Sequence, residues 1–509
     1  MTYAIACGHQ VTADAAAETL RAGGTALDAA IAAGLAAMVA EPVLAGLLGG
    51  GFLMVRDTSG RSHLLDAFVQ TPSRRLPDAN IALDIVTADF GTTTQDFHIG
   101  SGSIAVPGLA PSLTEAHQRF GRIPFPELAE PAIQAARNGV VLTAYQARLA
   151  TIVEPILKAT PAAQALHSDG DALLGEGQTL RNPDLADVLE VYSHEGPRFV
   201  QEGEIAQGLL ALSKQGGQIT ADDLRRYEPA WRTPLEQRRG NARIHMNPPP
   251  SLGGALIAFS LQMLGHDPDS CTVAHALAAT GKARLDADLL RDPVTGSTRL
   301  LSSGLVDRYR TDIARRLAAT RGTTHISIID GNGMGAALTL SNGEGCGHIL
   351  PGTGIMPNNM LGEDDLLPDG LQSWTPGQRL SSMMAPITLD WPDGRFAMLG
   401  SGGSNRIRSA LTQVLIHLVD RDAHLADAIE APRLHVEPGV DEESRPTQHV
   451  DAEEPASEED RHALLSDWPK ARIWPEPSMF FGGVHVVAAS GDGREAAGDP
   501  RRSGVASTA

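Results

Sequence analysis

Cysteine is scarce in this chain of 509 residues, which contains only Cys7, Cys271 and Cys346, far apart from one another. Their number and spacing predict neither a disulfide framework nor a zinc site, and we expect no metal or organic cofactor. Positive charge is also in short supply, since 41 Lys and Arg residues stand against 61 Asp and Glu residues, for a formal net charge of -20. Nucleic-acid backbones are bound by clustered basic side chains, so this balance argues against a nucleic-acid partner.

Long apolar runs are missing as well. The longest, from Ala29 to Ala40, falls short of the ~20 apolar residues that cross a bilayer, so we expect a buried helix there. The N-terminus lacks a basic segment followed by an apolar core, which is the pattern of a secretory signal. The sequence therefore predicts no membrane partner and a cytoplasmic location.

The pattern of residue types along the chain changes near Thr323. Before it, amphipathic and alanine-rich segments predict helices, among them residues 11–40. After it, short β-branched segments separated by Gly, Pro and Asp predict strands. Together these patterns predict an α+β fold in which helical layers enclose β-sheets. The acidic stretch from residue 441 to residue 469 predicts a solvated surface loop with a short helix.

Thr323 itself stands at the start of a predicted strand, directly after Gly322, in "RGTTHISIID". One interpretation is structural, because β-branched residues suit a pleated strand. The other is that the chain is cut here and Thr323 becomes a new N-terminus. Nothing in the local sequence decides between the two.

The order of motifs along the chain resembles that of the gamma-glutamyltransferase family, the N-terminal-nucleophile amidohydrolases that include glutathione hydrolases. Eight segments carry the resemblance, which covers nearly the whole chain: "GGTALDAAIAAGLAAMVAEPVLAGLLGGGFLMV", "SIAVPGLAPSLTEAHQRFGRIPFPELAEPAIQAARNG", "NPPPSLGG", "TTHISIID", "NNML", "RLSSMMAP", "GSGGS" and "GDPRR". The resemblance implies the αββα sandwich of that superfamily, which agrees with the layers expected from the residue patterns.

The resemblance also implies a precursor that is cut before the first threonine of "TTH". A helix-rich heavy subunit, residues 1–322, would then stay bound to a strand-rich light subunit, residues 323–509. Threonine is a poor nucleophile without an adjacent base. The freed α-amine of Thr323, with an unperturbed pKa of ~7.7–8, can supply that base near neutral pH. Before the cut, the same hydroxyl can attack the Gly322 carbonyl, where the absence of a Cβ permits a strained geometry.

Further site residues are implied one at a time by the same motifs. Ser341 falls where the family has a second hydroxyl that bonds the nucleophile. Gly402 and Gly403 match the glycines whose backbone N–H groups form an oxyanion hole, which stabilises developing negative charge. The substrate-binding residues complete the set: Ser381 and Ser382 match the serines that bind the substrate α-carboxylate, and Asp364 or Asp365 matches the aspartate that binds the α-amine. An insertion leaves open which of the two aspartates is equivalent.

Two departures from the family pattern fall in the substrate cradle. Phe68 stands where gamma-glutamyl enzymes carry an arginine that pairs with the α-carboxylate, and a phenyl ring cannot form such a pair. Arg74 and Arg75 follow closely and are candidate replacements. The family's asparagine position is occupied by Gly343, with Asn342, a candidate substrate-binding residue, one position away.

Three functions follow from these residues. The first is hydrolysis of gamma-glutamyl amides such as glutathione, or transfer of the acyl group to an amino acid or peptide. The second is an acylase of the same family that acts on a different acyl group, as the Phe68 departure suggests. The third is a non-catalytic relative that binds a ligand, which the intact Gly322–Thr323, Ser341 and glycine set argues against. Cys346 lies near the Thr323 strand but is interpreted as a packing residue.

Overall fold

Helices and strands build the part of the chain that the computed structural model describes, which is residues 2–89, 94–286, 289, 292–302, 305–306, 322–363, 366–367, 370–371, 373–440 and 446–509. The helices in these ranges are Gln10–Arg21 (α1), Ala26–Ala40 (α2), Leu109–Phe120 (α3), Phe125–Asn138 (α4), Ala144–Ile152 (α5), Glu154–Leu157 (α6), Pro161–His167 (α7), Pro183–Glu195 (α8), Pro197–Gln201 (α9), Glu204–Ser213 (α10), Ala221–Arg226 (α11), Gly253–Met263 (α12), Ser270–Asp286 (α13), Pro293–Leu300 (α14), Arg406–Asp420 (α15), Leu425–Glu430 (α16) and Glu458–Asp467 (α17).

The strands are Ala4–Cys7 (β1), Gly50–Arg56 (β2), Ser62–Asp66 (β3), Asp84–Asp89 (β4), Thr94–Ile99 (β5), Val140–Val141 (β6), Ser168–Asp169 (β7), Ala172–Leu173 (β8), Thr179–Leu180 (β9), Ala230–Arg232 (β10), Leu235–Arg239 (β11), Ala242–Met246 (β12), Thr324–Ile329 (β13), Gly335–Ser341 (β14), Ile387–Asp390 (β15), Phe396–Gly402 (β16), Leu434–Val440 (β17), Pro446–Glu453 (β18), Arg472–Trp474 (β19), Gly483–Ser490 (β20), Gly493–Gly498 (β21) and Val505–Thr508 (β22).

Two large sheets form the centre of the molecule. The first has the strand order β10-β3-β2-β14-β13-β1-β22, and the second has the order β11-β12-β15-β16-β20-β21. Strand β13, which follows Thr323, pairs antiparallel with β14 on one side and with β1 on the other. Each sheet therefore combines strands from before and after Thr323.

Side-chain alternation along β13 explains why the two sheets and the helices stack in layers. Ile326 and Ile328 pack into the cluster formed with helices α1 to α4. Ile329 packs into the cluster shared with the second sheet and helix α15. Because successive strand residues point to opposite faces, β13 is buried on both. The predicted αββα sandwich is thus confirmed.

Helix α2 packs closely against the first sheet. Its alanine-rich run is buried along its whole length, as predicted. A Cβ placed on Gly34 would lie only 3.0 Å from the side chain of Leu338, so the small residues allow a close approach to β14. Thr25 and Asp28 begin the helix with a capping box. Within the described ranges, no helix combines the length and the apolarity needed to traverse a membrane.

The acidic stretch 441–469 differs in part from its prediction. The short helix is present as α17, but residues 446–453 form strand β18 rather than a loop, and residues 441–445 lie outside the described residues. The strand forms because Val450 and Ala452 alternate inward and are buried in the core of the second sheet. The many acidic residues around them hid this alternation.

Candidate functional site

A cleft opens at the point where β13 begins, and it encloses about 470 Å³, including space open to solvent. Its walls come from segments that are distant in the sequence. The residues that bear on its chemistry are Phe68, Gly322, Thr323, Ser341, Glu363, Ser381 and Ser382. Residues predicted as catalytic and residues predicted as substrate-binding therefore meet in one place.

Several hydrogen bonds of the cleft are made to the backbone groups of Gly322. The Thr323 hydroxyl donates to its carbonyl oxygen over 2.7 Å, and the Ser341 hydroxyl donates to the same oxygen over 2.9 Å. Ser341 Oγ in turn accepts the backbone N–H of Gly343 at 3.0 Å. On its other side, the N–H of Gly322 donates to Glu344 Oε1 at 3.1 Å. Gly322 is thus held at both polar groups, and the Thr323 hydroxyl is hydrogen-bonded to its carbonyl oxygen.

Strand β16 ends against Thr323. A Cβ on Gly402 would lie 2.1 Å from the carbonyl oxygen of Thr323, so this position accepts glycine alone without a backbone shift. Gly403 has φ +120°, and its Cβ would approach the Cα of Gly482 to 2.9 Å. Ser404 follows with φ 52°, a left-handed conformation that non-glycine residues seldom adopt. The turn is therefore shaped by close approach of backbone to backbone.

Ser381 and Ser382 lie in the cleft wall and are nearly buried, at 9% and 5% exposure. Ser382 Oγ accepts the N–H of Met384 at 3.1 Å. Asp364 and Asp365 lie outside the described residues. Asn342 points away from this cleft: its side chain donates to the carbonyl of Met356 at 3.0 Å and lines a neighbouring cavity.

Phe68 forms the wall at the position where the family carries an arginine. Its ring is buried and stacks on Phe52 at a centroid distance of 5.6 Å. The two candidate replacements point elsewhere, since Arg74 donates to the carbonyl of Gly217 at 3.4 Å and Arg75 lies over the Trp374 ring at 5.6 Å. Among the described residues that line the cleft, none is Lys or Arg.

Glu363 is a cleft residue that sequence reasoning missed. It is 7% exposed, and with Asn359 it fills the space over Gly343, where a Cβ would lie 2.7 Å from Glu363 Oε1 and 2.1 Å from Asn359 Oδ1. Gly343, at φ +64°, therefore leaves no room for the asparagine of the family pattern. The available signal was the position of Glu363 directly between "NNML" and the acidic pair.

A second missed group lies behind Thr323. Glu41 is buried and accepts the hydroxyl of Thr324 at 2.9 Å, and its burial raises the pKa of the carboxyl to about 7. Arg502 Nη1 donates to the carbonyl of Thr323 at 3.4 Å. Both residues stand inside family-like segments, but only the fold brings Arg502 close enough to act on the carboxyl of Glu41.

Other titratable groups near the cleft are held uncharged by burial. Burial lowers the pKa of His325 well below its usual value, and its ring hydrogen-bonds Thr339 and Ser327 between the sheets. Burial raises the pKa of the Cys346 thiol to about 12, which makes it a poor nucleophile and agrees with a packing role.

The chain is similar to known proteins both in sequence and in structure. The family model described as Gamma-glutamyltranspeptidase matches residues 12–509. The Acylase ACY 1 proenzyme of Pseudomonas sp. (strain V22) is 31% identical, over 96% of this chain and 90% of that protein. The Glutathione hydrolase 5 proenzyme of Rattus norvegicus is 28% identical, over 99% and 92%. Among solved structures, cephalosporin acylase from Bacillus halodurans superposes with a TM-score of 0.82 at 22% identity, covering 99% of this chain and 95% of that one.

Proposed function

Since the chain belongs to the gamma-glutamyltranspeptidase family, we propose that it is a self-processing amidohydrolase with Thr323 as its nucleophile. The cut falls between Gly322 and Thr323 and produces a heavy chain of residues 1–322 and a light chain of residues 323–509. The observation that supports this step is the pair of hydroxyls, from Thr323 and Ser341, at the carbonyl oxygen of Gly322.

Self-cleavage proceeds as an acyl shift. The Thr323 oxygen attacks the carbonyl carbon of Gly322, and the Ser341 hydroxyl stabilises the negative charge that develops on the carbonyl oxygen. The C–N bond breaks, the Thr323 nitrogen takes up the proton that the Thr323 hydroxyl has lost, and an ester joins Gly322 to the Thr323 oxygen. Water then hydrolyses the ester, which frees the Gly322 carboxylate and the Thr323 hydroxyl.

The mature enzyme repeats this chemistry on a substrate. The free α-amine of Thr323 takes the proton of its own hydroxyl, and the oxygen attacks the substrate amide carbon. Backbone N–H groups of Gly402 and Gly403 stabilise the resulting oxyanion, a role that the position of Gly402 against Thr323 supports. The leaving amine departs with the proton, and water or an amine acceptor releases the acyl group from the ester.

The substrate we favour is an amide whose acyl group carries no α-carboxylate at the Phe68 position. The wall there is an aromatic ring stacked on Phe52, and no described residue of the cleft supplies a guanidinium. A carboxylate placed there would lose its hydration without gaining a charged partner, at a cost of several kcal/mol. The similarity to the ACY 1 acylase supports the same choice.

Gamma-glutamyl amides such as glutathione remain the second candidate. Ser381 and Ser382 lie in the cleft wall and can donate to a carboxylate, and Glu363 lies in the same wall and can accept from an amine. The similarity to a glutathione hydrolase agrees with this interpretation. In either case the acceptor is water, an amino acid or a peptide.

Two anilides separate the candidates. One carries a gamma-glutamyl group and the other carries an acyl chain of equal length without the α-amine and α-carboxylate. We expect a higher kcat/KM for the second anilide, with no turnover of either by Thr323→Ala. A clear preference for the gamma-glutamyl anilide would overturn the acylase assignment, and turnover by Thr323→Ala would overturn the nucleophile.

A further inference from the structure

Three potential metal ligands of different chemistry meet on the surface, away from the residues of the cleft. Cys271 and His275 are four residues apart on helix α13, so they share one face of the helix. Asp467 ends helix α17 and reaches the same point. The ligand atoms of the three side chains all lie within 4.8 Å of one another. Among the described residues, this is the one group of three or more His, Cys, Asp and Glu side chains gathered this closely.

Two of the three separations are close to those of a metal tetrahedron, and the third, between Cys271 Sγ and His275 Nε2, is within 4.8 Å. Asp467 Oδ2 lies 2.9 Å from His275 Nε2 and 3.3 Å from Cys271 Sγ. Zinc bonds of about 2.3 Å to sulfur and about 2.0–2.2 Å to nitrogen and oxygen place tetrahedral ligands about 3.3–3.6 Å apart. Shifts of a few tenths of an ångström at Asp467 Oδ2, together with a rotation of the Cys271 or His275 side chain that sets their separation, would therefore admit the ion.

The surroundings favour a cation and fix the imidazole. The ring of Trp468 packs against His275 at a centroid distance of 5.2 Å, which restrains the orientation of the ligand ring. Asp269, two residues before Cys271, adds negative charge beside the thiol. Cys271 is only partly buried, so an ion from solvent can reach the thiol.

We propose that Cys271, His275 and Asp467 form a zinc site, with water as the fourth ligand. A thiolate, an imidazole and a carboxylate are the ligand set that zinc prefers, and calcium or magnesium would require oxygen ligands throughout. Binding displaces the thiol proton of Cys271, so one proton is released per ion. The ion ties α13 to α17. If the proposed cut before Thr323 occurs, two ligands belong to the heavy chain and one to the light chain, and zinc also links the chains.

The sequence carried only half of this signal. The Cys-x-x-x-His spacing is visible in the sequence, but Asp467 lies 192 positions beyond His275 and joins it only through packing of the two helices. The sequence therefore predicted no metal, whereas the fold brings a third ligand to the pair.

Cobalt titration of the metal-free protein tests the proposal directly, because cobalt replaces zinc and a cobalt–thiolate bond absorbs in the near ultraviolet. We expect one equivalent to bind with that absorption and to be displaced by zinc. Cys271→Ser should abolish the absorption, and Asp467→Ala and His275→Ala should weaken binding at least tenfold. His462→Ala, an exposed histidine on α17, is the matched control and should bind as the parent does.

The titration is run on the Thr323→Ala protein as well as on the parent, so that its outcome does not depend on self-cleavage. Equal binding in both supports the site whatever the fate of the Gly322–Thr323 bond. Absence of the absorption at one equivalent, or its persistence in Cys271→Ser, would overturn the proposal. Unchanged affinity in Asp467→Ala would do the same, and that exposed substitution leaves the core intact.

Discussion

Ser341 donates its hydroxyl hydrogen to the carbonyl oxygen of Gly322 over 2.9 Å. Its partner is therefore the peptide group that we expect to be cut, and not the hydroxyl of Thr323. The family resemblance implied a bond from this residue to the nucleophile. In the uncut chain, Ser341 and Thr323 instead donate side by side to one oxygen. This arrangement supports the proposed role of Ser341, which is to stabilise charge on that oxygen during cleavage.

Removal of the Ser341 hydroxyl should therefore slow self-cleavage. A lost oxyanion donor costs about 10²–10³ in rate in other enzymes, and Ser341→Ala is expected to fall in that range. Ser341→Thr keeps the hydroxyl and is the matched control. The measurement is the fraction of cut chain over time after synthesis, read on denaturing gels. Cleavage of Ser341→Ala at the parent's rate would remove Ser341 from the mechanism.

The second prediction fixes the position of the cut. Mass spectrometry of the purified protein should find a light chain that begins at Thr323. Thr323→Ala should remain a single chain, since it lacks the attacking oxygen, and Thr323→Ser should still be cut. Efficient cleavage of Thr323→Ala at the same bond would show that a group outside the cleft performs the reaction.

Gly402 is expected to tolerate no side chain. A methyl group there would lie 2.1 Å from the carbonyl oxygen of Thr323 and must displace the Thr323 backbone. Gly402→Ala should lower kcat by a factor of about 10²–10³, the scale of a lost oxyanion donor. Gly265→Ala is the control, because nothing lies within 4 Å of its Cβ. Near-normal kcat in Gly402→Ala would mean that the turn relaxes without cost.

Phe68 should control which acyl group is accepted. Phe68→Arg supplies the missing guanidinium and should move the ratio of kcat/KM towards the gamma-glutamyl anilide. The same change buries a charge where the ring now stacks on Phe52, so the free energy of unfolding should fall by several kcal/mol. Phe68→Leu keeps an apolar wall and should keep the parent's preference. An unchanged ratio in a folded Phe68→Arg protein would separate Phe68 from specificity.

Glu41 should make stability depend on pH. Burial raises the pKa of its carboxyl from 4.5 to about 7. Between these values the folded state holds more protons than the unfolded state, so the free energy of unfolding falls as pH rises, by about 3 kcal/mol in all. Below pH 4.5 both states are protonated and this slope vanishes.

Urea unfolding of Glu41→Gln tests this in the uncut Thr323→Ala background. The substituted amide keeps an acceptor for Thr324 but does not titrate, so the loss between pH 4.5 and pH 7 should disappear. The lowered pKa values of buried His325 and His485 act in the opposite direction, because there the unfolded state binds more protons. Both proteins share these histidines, so the difference between their curves isolates Glu41. Parallel curves would contradict the raised pKa.

Features that depend on neighbouring residues could be predicted from the sequence. The capping pair Thr25 and Asp28 and the alanine-rich run that follows specified helix α2. The order of family-like motifs brought Thr323, Ser341 and Ser381 into one expected site, and all three line the same cleft.

Features that depend on distant pairing could not be predicted. Sheet order is set by tertiary packing, and nothing local signals that β1 lies between β13 and β22. The bond from Gly322 to Glu344 and the approach of Glu363 to Gly343 are likewise products of loops folded onto the cleft. Asn342 is the converse case. It lies one position before the place where the family has asparagine, and its side chain bonds to Met356 outside the cleft.

The position of strand β1 determines how firmly the two chains would stay together after the proposed cut. Its residues Ala4–Cys7 pair on one side with Ile326–Ile329 and on the other with Val505–Thr508. A strand of the proposed heavy chain is thus clamped between two strands of the light chain, and neither chain can leave without dismantling the sheet. Folding before the cut is a first-order event, whereas reassembly afterwards is second-order and dilution slows it. Cleavage would therefore convert a reversible fold into one maintained by its barrier to unfolding, so that denatured mature protein recovers poorly where the uncut chain refolds.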